Sequence, residues 1–461
     1  MICNHVVQLC DMVNKTLAFL SSICASLSFC GAAEAENVAE AIAFAMNHDP
    51  RAELAEAATK LARSDAVSQL SGFLPTIEGT VSYTDDGFRS SSLDTLQERD
   101  GTTLGVTVSQ PVFQAFSDIN RYRAARKGVE QQEYLEVDTR NQIALSAARA
   151  HAATIFYRDV VGSRNGNIKL LSHQHEVARR RMEAGAQSKT GVEQALMRRD
   201  QAIVDLEQTR ATLVSSEAAY QRIIGHRPPE NLTLDDGHLF DNFDALETAI
   251  GAGLQNSPVL NAARYGADAA HLGVAAAKGD FGPKLFVEGS YLNRLRQQSG
   301  LVQEDEYQVV ARMRVPIFSG GRNIGGYRRA SARYAQSKAE YTNASLALRE
   351  TIERSWRQMQ IAKTRGTIAA RAVNSAENAV KGLEIEYEAG RRNVIDVLDG
   401  QRDLVNAQIG RSQADYDYRM AGYELLATIG VLADANLGAP SLRQDEAATE
   451  NGIGDIYSSF E

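Results

Sequence analysis

Thiols and long apolar runs are scarce in this 461-residue sequence, and its 49 basic residues are outnumbered by 58 acidic ones. Its four cysteines lie within the first 30 residues, so the rest of the chain offers no disulfide and no cysteine metal site. No apolar stretch of about 18 residues follows the N-terminal segment, which excludes a transmembrane helix from the rest of the sequence. The net charge of −9 argues against nucleic acid as a partner.

The leading segment has the pattern of a secretory signal peptide. Lys15 precedes an apolar run over 16–29, and small residues follow up to an Ala-Glu-Ala sequence at 33–35. This order of basic, apolar and small residues predicts a signal peptide over residues 1–35. A lipoprotein signal is the alternative and would place an acylated cysteine at Cys30, but the bulky residue before that cysteine fits such a signal poorly.

Proline is also scarce, and the few prolines reveal an internal repeat. Adding 208 to a position in the first half finds its counterpart in the second half, and the offset becomes 205 further along the chain. A unit of roughly 190 residues is therefore present twice, which is far longer than the repeat of a solenoid. Each copy is expected to build the same supersecondary structure. The matched pairs include Pro50 and Pro258, Pro75 and Pro283, Tyr83 and Tyr291, Pro111 and Pro316, Tyr122 and Tyr327, Gly185 and Gly390, and Gly225 and Gly430.

The two longest proline-free stretches, 112–227 and 317–439, predict long helices, because proline breaks a helix interior. A short turn at Gly185 divides the first stretch and one at Gly390 divides the second, so each stretch is expected to form a helical hairpin with a glycine cap at its tip. Residues at seven-position spacing indicate a left-handed coiled-coil seam. The clearest series are Tyr327, Tyr334, Tyr341 and Leu348, and then Val373, Val380 and Tyr387.

Between Pro75 and Pro111 the apolar period changes to two, and the same change recurs in the second copy. This alternation predicts four strands of about ten residues, joined in pairs by polar loops over 85–101 and 293–306. Ten alternating residues match the length of a tilted membrane-spanning strand. Four strands are too few to close a barrel, and lipid does not tolerate an open sheet edge, so several copies are expected to share one barrel. The alternative is a pair of exposed hairpins outside the membrane.

The predicted fold is mainly α with β. It is a duplicated module in which long coiled-coil helical hairpins form an α-barrel, with four transmembrane β-strands per chain. The expected parts are a signal peptide (1–35), a first repeat (36–230) with a strand pair at about 75–111 and a helical hairpin at about 113–225, a second repeat (231–432) with a strand pair at about 283–316 and a hairpin at about 318–430, and an acidic C-terminal tail (433–461) that is expected to be flexible.

The segment from Tyr387 to Asp399, with the sequence YEAGRRNVIDVLD, carries the most specific family likeness. With the duplicated hairpins, the two strand pairs and the signal segment, it makes residues 38–432 resemble the TolC family of outer-membrane efflux and type I secretion channels. The resemblance implies a homotrimer with a 12-stranded barrel in the outer membrane and a helical tunnel across the periplasm. It also implies an equatorial belt from the segment 231–254 and the C-terminal residues.

The resemblance implies that Asp396 and Asp399 line the narrowest point of the periplasmic entrance. Their i, i+3 spacing places both on one helix face, and three copies would form a ring of six carboxylates that attracts cations and raises its own pKa values. Taken alone, the two aspartates are better explained as acids that favour the dipole at a helix N-terminus. The family likeness of the surrounding segment favours the entrance.

The resemblance also implies that Tyr387 and Arg392 make links that hold the entrance shut, while Tyr387 continues the coiled-coil seam. The family partner of this tyrosine is an aspartate in the first-half turn, where this sequence has Gly191. Fewer or different closing links are therefore expected. The residues expected to cap the hairpin tips or to contact the periplasmic adaptor are Gly185, Ala186, Gly390 and Arg391.

The resemblance implies a passive outer-membrane duct that conducts drugs, other small molecules or secreted proteins. The expected partners are further copies of the chain, outer-membrane lipid, a periplasmic adaptor and an inner-membrane pump of RND or ABC type. No Ser-His-Asp or Cys-His set has usable spacing, so no catalytic residue, cofactor or metal site is expected. The rival hypothesis is a secreted periplasmic coiled-coil adaptor or scaffold without a membrane pore.

Overall fold

The structure is a computed structural model that describes residues 36–89, 96–233, 245–296 and 302–433. These residues form long helices and one small sheet, so the predicted fold class, mainly α with β, is confirmed. In chain order the elements are α1 (Val38–His48), α2 (Pro50–Ser68), a 3-10 helix (Gln69–Gly72), β1 (Thr76–Arg89), β2 (Leu96–Phe113), α3 (Ser117–Glu183), α4 (Lys189–Ile224), α5 (Leu246–Asn256), α6 (Pro258–Gly279), β3 (Lys284–Arg296), β4 (Val302–Arg314), α7 (Arg322–Glu388) and α8 (Val394–Ile429).

The long helices occur as two matched pairs. Helices α3 and α7 have 67 residues each, and α4 and α8 have 36 residues each. At 1.5 Å per residue, a helix of that greater length extends about 100 Å. Leu348, Val373, Val380 and Tyr387 of the seven-residue series are buried, which confirms the predicted seam on α7.

The chain divides into two compact units, and each unit draws on both halves of the sequence. As far as their residues are described, the first unit is formed by Met1–Ala45, Ala147–Leu239 and Gly366–Tyr416, and the second by Met46–Ser146, Phe240–Arg365 and Asp417–Glu461. The hairpin tips belong to the first unit and the sheet belongs to the second. The division of the sequence into two repeats is a separate property, and its boundaries stay a prediction.

The four strands form one antiparallel sheet in the order β1-β2-β3-β4. The predicted strand length of about ten residues is wrong, because the strands contain 14, 18, 13 and 13 residues. Much of the polar sequence predicted as loops belongs to the ladder, where Asp85 lies opposite Asp100 and Asn293 opposite Asp305. Backbone hydrogen bonds hold the ladder whatever the polarity of the side chains, so it continues beyond the apolar alternation.

Several expectations concern residues outside the described ranges. They are the signal peptide (1–35), the connections at 90–95 and 297–301, part of the expected belt (234–244) and nearly all of the C-terminal tail (434–461). Within the described ranges, no helix combines the length and the apolar character needed to cross a membrane.

Candidate functional site: an apolar sheet face and the helical tips

One face of the sheet is apolar and exposed. Side chains alternate between the faces along each strand, and the register aligns apolar positions of neighbouring strands, such as Ile77 with Val108. Tyr307 is 85% exposed and Val309 is 76% exposed. The other exposed apolar residues of this face are Val81, Tyr83, Leu104, Val106, Val287, Tyr291 and Met313. A contiguous apolar surface of this kind indicates contact with lipid or with another protein.

The opposite face of the sheet is polar, and charged residues on β3 and β4 are paired across it. Arg312 Nη2 lies 3.3 Å from Glu288 Oε2, and Arg294 Nη1 lies 2.7 Å from Glu306 Oε2. A sheet that is apolar on one face and polar on the other has the pattern of a transmembrane barrel with a water-filled interior.

Both edges of the sheet are open in the described residues, since β1 pairs only with β2 and β4 only with β3. An edge strand carries a row of unpaired N–H and C=O groups. In hydrocarbon each unsatisfied group costs several kcal/mol. The apolar face is therefore compatible with lipid only if further strands continue the sheet at both edges.

The two hairpin tips have the same backbone design. Gly185 follows α3 with φ +74° and Gly390 follows α7 with φ +72°, a left-handed conformation that glycine adopts without strain. The Ala186 N–H donates to a carbonyl of the last helical turn at 2.8 Å, and the Arg391 N–H does the same at 2.9 Å. These bonds form Schellman caps, which satisfy helix carbonyls without using side chains. Ala186 and Arg391 are exposed at the two tips.

Asp396 and Asp399 both interact with neighbouring groups near the start of α8. The Asn393 N–H donates to Asp396 Oδ2 at 3.3 Å, so this aspartate helps to cap the helix. Arg198 on α4 donates from Nη2 to Asp399 Oδ1 at 3.1 Å, and Arg402 Nη1 lies 3.7 Å from the same oxygen. The charge of Asp399 is therefore partly compensated within one protomer.

Tyr387 is buried in the hydrophobic cluster beside the second tip. The guanidinium of Arg181 lies 4.2 Å from the centre of the Tyr387 ring, and its Nη1 donates to the Tyr387 carbonyl at 3.1 Å. The Tyr387 hydroxyl is buried and has no hydrogen-bond partner in the part of the chain that the structure describes. The packing role of Tyr387 is thus directly visible, while its closing role stays a prediction. The other buried members of the cluster are Leu171, Ala195, Ala202, Val394, Val397 and Leu398.

Arg392 spans the turn of the second tip. Its Nε donates to Glu386 Oε2 at 2.8 Å, and this hydrogen bond raises the pKa of Arg392. Its Nη1 also lies 4.0 Å from Asp396 Oδ2. Within one protomer, Arg392 therefore pairs with acids of its own tip.

Gly191 is buried in the first turn of α4, where its N–H donates to Ser188 Oγ at 3.2 Å. A Cβ added at this glycine would meet the Gln187 side chain and would lie 3.5 Å from Val394 Cγ1. Val394 belongs to the same cluster as Tyr387. The position that lacks the family aspartate therefore borders the cluster that contains the unpartnered tyrosine hydroxyl.

Three charged residues beside the predicted site, Arg181, Arg198 and Glu386, were missed by sequence reasoning. Arg181 and Arg198 contact residues more than 200 positions away in the sequence, and such pairs leave no periodic pattern. The sequence held one signal for such contacts: an arginine run at 179–181 and an acidic segment at 384–388 carry opposite charge.

Comparisons with known proteins agree with this arrangement. Residues 249–431 match the family described as outer membrane efflux protein. The outer membrane efflux protein BepC of Brucella suis is 27% identical over 339 residues, which are 73% of this chain and 74% of that protein. The outer membrane protein TolC of Vibrio cholerae is 26% identical over 91% of this chain and 96% of its own length. Most of the chain is thus similar to outer membrane efflux proteins, and its second half matches the family of that description.

A solved member of the outer membrane efflux protein fold supports the architecture. The outer membrane protein VceC of Vibrio cholerae superimposes with a TM-score of 0.75 at 20% identity, and the match covers 85% of this chain and 96% of that one. At this identity the likeness shows the fold alone. The family is one of outer-membrane channels, not an enzyme family, which favours the channel over the periplasmic scaffold.

Proposed function

We propose that this protein is the passive exit duct of a tripartite export system. It receives substrates from an inner-membrane pump through a periplasmic adaptor, and the pump supplies the energy. The observation that supports this proposal most is the sheet with one apolar face, one polar face and two open edges. Such a sheet is stable in a membrane only as part of a closed barrel around a polar interior.

The sheet contributes four strands, and a closed membrane barrel has at least about eight. Three copies would supply 3 × 4 = 12 strands, with β1 of one copy beside β4 of the next. An interface between two different edges generates a ring. The long hairpins of α3 with α4 and of α7 with α8 would continue this ring as a helical tunnel.

The second hairpin tip provides the selective part of the entrance in this proposal. Asp396 and Asp399 from three copies would form a ring of carboxylates, and rings of this kind select cations in other channels. The structure adds Arg198 as a counter-charge, so the attraction for cations depends on how far Asp399 remains paired with it. Ala186 and Arg391, exposed at the tips, are the proposed contacts for the adaptor.

Two adjacent substitutions on β4 test the membrane assignment. Val309 lies on the apolar face and Gln308 on the polar face. A lysine at the lipid-facing position costs about 2–4 kcal/mol per copy at the bilayer midplane, whereas a lumen-facing lysine has no such cost. Planar-bilayer recordings are expected to show channels for wild type and Gln308→Lys, with few or none for Val309→Lys. Equal channel formation by both variants would overturn the assignment of the faces.

The proposed cargo is small molecules, because the relative from Brucella suis is named as an efflux protein. A strain that lacks the protein is expected to become more sensitive to toxic compounds and to regain resistance when wild type is restored. Unchanged drug sensitivity with loss of an exported protein would assign the duct to protein secretion instead.

A further inference from the structure

The passage from β4 to α7 carries a sharp change from apolar to basic surface. Ile317 is 96% exposed and Phe318 is 84% exposed, directly after the end of the strand. Gly320 and Gly321 follow with φ of +60° and +83°, and α7 then begins at Arg322. Exposed aromatic residues at the ends of membrane strands are typical of the interface between hydrocarbon and headgroups.

The beginning of α7 is unusually basic for this chain. Residues 308–339 contain seven arginines or lysines and no acidic residue, although the net charge of the chain is −9. Arg322, Arg328, Arg329 and Arg333 are all exposed, and none forms an ion pair within the described residues. We call these four residues the basic patch.

The matching part of the first repeat differs from the basic patch. Near the start of α3, Arg121 is held by Asp118 at 2.9 Å and by Asp280 at 2.8 Å. Lys127 is held by Glu130 at 2.8 Å. Arg123 and Arg126 of α3 are exposed without an ion pair in the described residues. The same part of α3 also carries Asp118, Glu130 and Glu133, whereas residues 308–339 contain no acid, so the excess of basic charge is greater on α7.

The basic patch largely avoids the packed side of its helix. Tyr327 lies beneath the ammonium of Lys278, and the Tyr334 ring lies 5.1 Å from that of His271, so this side of α7 faces α6. Arg322, Arg329 and Arg333 follow i, i+7, i+11 spacing and share one face turned well away from these tyrosines. Their side chains are therefore available to a partner outside the protomer.

We propose that the basic patch binds the anionic headgroups of the phospholipid leaflet that adjoins the helices. This inference rests on the proposed function, because it requires the sheet to lie in a bilayer. Arg328 and Arg329 lie about 9–11 Å along the helix from Arg322, and their long side chains extend part of that distance toward the headgroups. Negative charge on the leaflet complements a patch that lacks acids of its own.

The test measures lipid preference in the reconstituted full-length protein. Spin-labelled phosphatidylglycerol and phosphatidylcholine are added in turn to proteoliposomes, and the motionally restricted fraction gives their relative association. A basic residue near an anionic surface contributes up to roughly a fivefold preference. Wild type is expected to prefer phosphatidylglycerol. The variant with Arg322→Gln, Arg328→Gln and Arg329→Gln is expected to bring the ratio close to one, and lysines at the same positions are expected to retain the preference.

A matched control removes the same charge from the same helix far from the sheet. Arg349→Gln, Arg354→Gln and Arg365→Gln change three exposed arginines of α7 and are expected to leave the lipid ratio unchanged. An unchanged ratio in the patch variant overturns the proposal. Loss of the assembled oligomer to the same extent with and without phosphatidylglycerol also overturns it and assigns the patch to a neighbouring copy. Single-channel conductance is measured on the same patch variant. A normal value shows that the proposed channel function holds, whatever the lipid ratio of that variant.

Discussion

The acids of the second tip are part of a local charge network. Asp399 is bound to Arg198 of the neighbouring hairpin limb, and Asp396 closes the first turn of α8. A carboxylate attracts mobile cations most strongly when no fixed cation lies beside it. The arginine therefore controls how much of the charge of Asp399 reaches the solution.

This network gives two opposite expectations for ion selectivity. Replacing Asp396 and Asp399 with alanine is expected to reduce the preference for potassium over chloride, because the ring loses its carboxylates. Arg198→Gln is expected to increase that preference, because Asp399 loses its counter-charge. Reversal potentials under a salt gradient in a planar bilayer measure both changes. Unchanged selectivity in the double alanine variant would reject the assignment of the entrance.

The unpartnered hydroxyl of Tyr387 makes a second residue-scale prediction. Removing a buried polar group that lacks a hydrogen bond is neutral or stabilising, so Tyr387→Phe is expected to leave the thermal midpoint unchanged or higher. Gly191→Asp is expected to lower basal conductance, if the added acid supplies the missing partner. In the Tyr387→Phe background the same aspartate should lose that effect. A fall in thermal midpoint on Tyr387→Phe alone would show that the hydroxyl already has a partner.

At the residue scale, the sequence predicted the place of a residue in its helix or turn better than the residues that it contacts. The glycine caps at Gly185 and Gly390 and the seam residue Tyr387 follow from local spacing, which a sequence displays directly. The contact of Arg198 with Asp399 depends on two limbs that are brought together by the fold. The basic patch was overlooked because the net charge of the whole chain conceals a local excess of arginine.

Among the elements, the turn from β2 into α3 is under backbone strain. Ala115 and Phe116 have φ of +49° and +63°, a conformation that costs roughly 1–2 kcal/mol for residues with a Cβ. The positions related by the 205-residue offset are Gly320 and Gly321, which adopt the same conformation without that cost. In the turn from β2 into α3, Phe116 is exposed and lies beside Phe113, with ring centres 5.5 Å apart.

Helix α6 contains a matched pair of glycines that tests how tightly this turn is held. A Cβ at Gly279 would lie 2.6 Å from the carbonyl oxygen of Ala115, whereas a Cβ at Gly273 would enter open space. Gly279→Ala is expected to lower the thermal midpoint of the assembled protein. Gly273→Ala is expected to raise it slightly, since alanine favours a helix interior by about 0.5–1 kcal/mol. Equal midpoints for the two variants would contradict the close contact between α6 and the turn.

At the scale of the elements, sequence periodicity predicted the strands but not their full length. The four strands were recognised, but their ends were placed too early, because the apolar alternation ends before the backbone ladder does. Tyr291 and Asn293 both donate to Asp305 across β3 and β4, at 2.9 and 2.6 Å. Polar side chains thus continue the strand pairing where the sequence suggested a loop.

For the whole molecule, the repeat and the seam predicted the fold class, but no single chain can display a closed barrel. The open edges of β1 and β4 imply neighbours, and their number follows only from combining strand count with family likeness. The presence of these neighbours can be tested by disulfide formation, because the sequence has no cysteine after residue 30. An introduced cysteine therefore meets no competing thiol in the described residues.

Disulfide trapping between the two sheet edges tests the shared barrel most directly. Ser82 on β1 is replaced by cysteine and combined in turn with a cysteine at Glu306, Gln308 or Val310 on the same face of β4. We predict that at least one combination gives a covalent trimer in membranes on a non-reducing gel, while Ser82→Cys alone stays monomeric. Monomers in every combination, or dimers from Ser82→Cys alone, would contradict a barrel in which β1 of one copy meets β4 of the next.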